Sequence, residues 1–171
     1  LATWRLPYVV INYGKEALYY NIVYAYLHFL YNGFFVFILF GCLFKLFEKS
    51  LAEVPEKTQR SFFYFLAIAC VPAYALSVLW STDQRVYYVT GGIAACLQTV
   101  ALYALYRISR AVLRTLKPRS LSHGLYGFFI TAYVIKTIAQ LLSAFPYVAK
   151  QTTALKLFLI IGYLHLFTLA F

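Results

Sequence analysis

The sequence predicts an all-α fold, a polytopic bundle of about five membrane-spanning helices, and three observations predict it. Of the 171 residues, 63% are hydrophobic and only 12% charged, about half the charged share of an ordinary soluble domain. Tyr and Phe dominate a 20% aromatic fraction, which suits aromatic belts at membrane interfaces. The apolar residues also fall in long single runs, and a hydrocarbon core of ~30 Å needs roughly 20 helical residues.

Taken in order, the runs are 19–44, 61–80, 86–106, 121–145 and 154–171. Membrane strands would alternate over about ten residues, which these runs do not. The first run has no formal charge between Ala17 and Phe44. The second holds Pro72, which removes a backbone donor and predicts a kink. The third carries Gly91 and Gly92, suited to close helix approach. Pro146 predicts the end of the fourth run, and the fifth stops at Phe171. All five belong to one transmembrane domain, 1–171. The absence of Met and the stop inside an apolar run predict a piece of a larger bundle.

A net charge of +10 in a soluble protein would suggest nucleic acid. Here the basic residues lie in short loops between spans, so the charge reads as topology, and no nucleic-acid partner is expected. Lys45, Lys49, Lys57 and Arg60 follow the first span; Arg107, Arg110, Arg114, Lys117 and Arg119 follow the third. The other side has Arg5, Lys15, Arg85, Lys150 and Lys156. Nine against five places loops 45–60 and 107–120 in the cytoplasm by the positive-inside rule. Cys42, Cys70 and Cys96 lack metal-type spacing and read as buried, inert thiols.

Three ionisable side chains fall at one expected depth. His28 lies ~16 Å below the outer boundary, Lys136 ~15 Å and His165 ~14 Å, by helical rise. Tyr24, Tyr31 and Asn32 lie four, three and four residues from His28, so they share its face. Tyr133 and Gln140 flank Lys136 in the same way, and Thr168 is near His165. Ionisable groups inside spans face the bundle interior and mark ion, proton or cofactor sites, or satisfy neighbouring helices. The five acids (Glu16, Glu48, Glu53, Glu56, Asp83) all sit in loops, which counts against cation-coupled transport.

The segments "YAYLHFLYNGFFVFILFGCLF", "FLAIACVPAYALSVLW", "KTIAQLLSAFP" and "IIGYLHLFTLAF" together resemble the C-terminal half of an uncharacterised family of bacterial polytopic membrane proteins. That family in turn is distantly similar to the catalytic subunit of heme–copper oxidases and nitric oxide reductases. The resemblance implies a bacterial cytoplasmic (inner) membrane location. It implies that His28 ligates a metal, with Asn32 where a functional Tyr or Glu follows and Gly33 after it. It also implies that His165 binds heme axially. The chain departs from that pattern: it has no adjacent His–His pair, and Asn32 cannot act as a redox tyrosine. Three functional expectations follow. One is a heme- or copper-binding redox component, using His28 and His165 as metal ligands and Lys136 beside the cofactor. The second is a cofactor-free structural or accessory subunit, working with other membrane subunits or a missing N-terminal half. The third is a small-solute transporter or channel.

Overall fold

The computed structural model describes residues 8, 11–12, 17–79, 81–82 and 84–151. Four helices within that range are long and apolar enough to cross a membrane. The chain is therefore a membrane-embedded, multi-pass helical protein. Helix α1 (Ala17–Leu46) is followed by a single turn, α2 (Glu48–Leu51), and then by α3 (Glu56–Val78) and α4 (Arg85–Thr115). Helix α5 (Leu121–Ser143) and the short α6 (Pro146–Gln151) complete the described part. The expected fifth span, 154–171, lies outside the described residues.

Helix α1 is α-helical over Ala17–His28 and Val36–Leu46 but π-helical over Phe29–Phe35. The Val36 N–H reaches the Tyr31 carbonyl, five residues back. The physical consequence lies in the buried series His28, Asn32, Val36 and Phe40. A four-residue step in an α-helix overshoots one turn by about 40°. A wider π turn undershoots, so inserting one keeps all four side chains aimed at the same neighbours.

The connection to α3 is closed by Gln59, whose amide donates to the Leu51 and Val54 carbonyls, both at 3.0 Å. Helix α3 continues through Pro72. Helix α4 runs nine residues past the expected boundary at 106. Its last turns stay helical because Ile108, Ser109, Ala111 and Val112 are buried along one side. Residues 107–115 of the expected cytoplasmic loop are thus helix. Ser120 caps α5, its hydroxyl accepting from the His123 N–H, as the first turn of a helix requires. Pro146 opens α6 rather than interrupting α5, a position where its missing N–H costs nothing.

Side-chain bonds show that successive spans alternate in direction. At one end Ser50 bonds Thr115 (2.8 Å) and Tyr126 donates to Ser109 (3.1 Å). At the other, Tyr74 donates to the Asn21 carbonyl (3.0 Å) and Ser81 to the Asn21 side chain (3.1 Å). The core centres on Phe40, whose ring lies 4.7 Å from Phe62, 5.4 Å from Phe129 and 5.1 Å from Tyr133. Leu105 and Ile108 of α4 close it. Between α3 and α4 the seam is small: Ala69, Ala73, Gly91, Ala94 and Ala95, the composition that lets membrane helices approach closely. Cys70 is buried as expected, whereas Cys42 and Cys96 lie exposed on the outside of the bundle. Their apolar surroundings gave no clue to which helix face turned outward.

Candidate functional site: a polar layer across the bundle

The π segment delivers His28 and Asn32 to α3. The His28 ring donates from Nε2 to the Cys70 carbonyl at 2.8 Å, using the second lone pair that a helical carbonyl keeps. That bond fixes the tautomer and makes Nδ1 the acceptor. Nδ1 faces the Asn32 amide at 3.3 Å and the Ser77 hydroxyl at 3.4 Å. The ring also packs against Tyr74, centroids 5.9 Å apart.

Lys136 enters from α5 and is only 4% exposed. Its ammonium lies 5.3 Å from the centroid of Tyr133, a cation–π distance. Of the three ionisable groups expected at one depth, His28 and Lys136 are both buried in the bundle. His165 and Thr168 lie outside the described residues. Tyr24 and Tyr31 are half-buried beside His28, Tyr31 stacking on Phe35 at 5.8 Å. Tyr133 is buried in the apolar core against Phe40. Gln140 is buried one turn beyond Lys136.

Sequence reasoning missed Gln98, which is 5% exposed. It lies eleven residues before Ser109, and Thr137 lies eleven after Tyr126, so the Ser109–Tyr126 bond sets Gln98 at the level of Lys136 and Thr137. The contact between Gly91 and Leu76 likewise sets it opposite Ala69, next to Cys70. Its signal was present: Gln98 is seven residues from Gly91, on the small-residue seam. The Oε1 atoms of Gln98 and Gln140 are buried with no hydrogen-bond partner. Helices α1, α4 and α5 thus contribute buried polar side chains to the layer, and α3 contributes the Cys70 carbonyl and the half-buried Ser77.

What can this layer hold? Among the described residues no group of three or more His, Cys, Asp or Glu is placed to bind a metal ion. Around His28 Nδ1 stand two hydrogen-bond donors, where a metal ion needs lone pairs and negative charge. As placed, these residues suit hydrogen bonding between helices better than metal ligation. Comparison of the chain with protein-family models, with curated proteins and with solved structures returns no match.

Proposed function

We propose that this chain is a structural or accessory subunit of a membrane assembly, whose polar layer fixes the packing of its helices. The observation that supports the reading is His28, engaged through both ring nitrogens by α1 and α3. In lipid, apolar faces slide past one another at little cost, so directional bonds between helices set register and rotation. The proposal places the protein in a bacterial cytoplasmic membrane, with loops 45–60 and 107–120 on the cytoplasmic side and further membrane subunits as partners. His28→Ala removes the two bonds from α1 to α3, to the Cys70 carbonyl and the Ser77 hydroxyl, at ~0.6 kcal/mol each, and is expected to lower stability by about 1 kcal/mol. A variant that unfolds like the parent chain would overturn the reading.

A second reading keeps the redox component. A metal-bound imidazole donates its other N–H to a carbonyl or carboxylate, and His28 Nε2 makes such a bond to Cys70. The two contacts at Nδ1 are its longest, at 3.3 and 3.4 Å. In this reading His28 and His165 would hold a heme or copper ion, and Lys136 would pair with a heme carboxylate. The group would supply electron transfer, and the chain would orient it and exclude water. Visible absorption of the purified protein, oxidised and then dithionite-reduced, with metal analysis on the same sample, decides between the two. A Soret band that disappears in His165→Ala replaces the structural reading with this one; a featureless spectrum without iron or copper discards it.

A further inference from the structure

The outward face of α4 changes chemistry along its length without changing direction. Val89, Ile93, Val100 and Tyr103 are exposed along it, and Arg107, Arg110 and Arg114 continue the same stripe. At 100° per residue these seven positions stay within roughly a quarter of the helix circumference. An apolar stripe on the outside of a membrane bundle faces acyl chains, so its basic continuation faces the headgroups of the same lipids. Tyr103 and Tyr106, 63% and 55% exposed, mark the interface between the two zones, where aromatic belts sit. The Arg110 guanidinium lies 5.8 Å from the Tyr106 ring centroid.

Depth agrees with this placement. From Arg107 to Arg114 the helix rises ~10 Å, somewhat more than the roughly 5–7 Å headgroup layer, so Arg107 and Arg110 lie within that layer and the long Arg114 side chain reaches back to it. The arginines are also presented on a fixed scaffold. The opposite side of this segment is packed through Ile108 and Val112 into the core, and Ser109 and Thr115 are tied to Tyr126 and Ser50. Among the described residues no carboxylate pairs with these arginines. The ion pairs among the described residues are Lys45–Glu48 and Arg60–Glu56, which leaves this stripe without a carboxylate.

We infer that the Tyr103–Arg114 face of α4 is a binding site for an anionic phospholipid. The headgroup phosphate is held by Arg107, Arg110 and Arg114, and the acyl chains lie along Val89–Val100. Guanidinium groups suit this role because their planar donors match two phosphate oxygens at once. A smeared attraction to a charged leaflet needs no such alignment, whereas a site selects one lipid from a mixture.

The test is native mass spectrometry of the full chain equilibrated in detergent with equal amounts of phosphatidylglycerol and phosphatidylcholine. At about 1 kcal/mol per basic residue near the surface, three arginines give a preference of about a hundredfold for phosphatidylglycerol. The triple variant Arg107→Gln, Arg110→Gln, Arg114→Gln is expected to lose it, while Lys45→Gln with Lys49→Gln keeps it. Equal retention of the two lipids overturns the inference, as does a triple variant that keeps the preference. Displacement by millimolar inorganic phosphate also overturns it, since the stripe would then hold a free anion. Should the triple variant not fold, a photoactivatable phosphatidylglycerol on the unmodified chain tests the same site. Adducts concentrated on α4 between 89 and 114 support it, and adducts spread over all spans sink it.

Discussion

Gly91 and Gly92 are neighbours on α4, yet the structure assigns them opposite responses to the same substitution. A Cβ at Gly91 would run into Leu76 of α3, meeting its Cδ2 most closely and its Cγ at 2.9 Å. A Cβ at Gly92 would meet nothing within 4 Å. Gly92→Ala therefore gains helix propensity alone and is expected to stabilise by up to ~1 kcal/mol. Gly91→Ala gains the same propensity but forces Leu76 into another rotamer or pushes α3 and α4 apart, which costs about 1–3 kcal/mol. The two variants should differ by that penalty, which corresponds to about fivefold to a hundredfold in the folded-to-unfolded ratio. Reversible unfolding in mixed micelles, followed by circular dichroism, measures both. Adding Leu76→Ala isolates the clash, because Gly91→Ala in that background should behave like Gly92→Ala. If Gly91→Ala stabilises the unmodified chain as much as Gly92→Ala does, the close seam between α3 and α4 is wrong.

Phe40→Ala removes the ring that touches Phe62, Phe129 and Tyr133 and leaves a buried void; a loss of about 3 kcal/mol is expected, read in the same unfolding assay. Gln98→Leu deletes a buried oxygen without a partner and should be neutral or stabilising by ~1 kcal/mol; a large loss would mean that the amide serves something beyond packing. At the surface, the hydrogen bond from Lys45 and its charge hold the Glu48 carboxyl below its ordinary value of 4.5. A carboxyl lowered in the folded state adds stability above its unfolded value, and that contribution disappears as pH falls through the folded one. A small loss should therefore develop below about pH 4.5 and be absent in Lys45→Gln, as thermal unfolding at several pH values will show.

How much of this was legible beforehand can be argued from particular residues. The four described spans were, because the length of an apolar run against a fixed bilayer thickness leaves little choice. His28, Asn32 and Lys136 stood out for a related reason: in hydrocarbon each needs a partner, so each had to turn inward. The partners themselves were not legible. The Cys70 carbonyl is a backbone group common to every residue, and Ser77 carries no spacing signal. Gln98 escaped because one amide on a helix of alanines says nothing until the Ser109–Tyr126 and Gly91–Leu76 contacts set its level.

The same division holds for the whole molecule. The sequence by itself determined that the chain enters a membrane, where its helices run, and which side chains are too polar to face lipid. Tertiary structure alone decided how each helix is rotated about its axis. It put a π turn after His28, turned Cys42 and Cys96 outward, kept α4 helical to Thr115, and set Arg107, Arg110 and Arg114 on one outer face. The reason lies in the solvent. In water an apolar stripe shows which face of a helix is buried, but in lipid the outer face is as apolar as the inner one. Rotation is then fixed by close packing and a few directional bonds, and those depend on residues far apart in the chain.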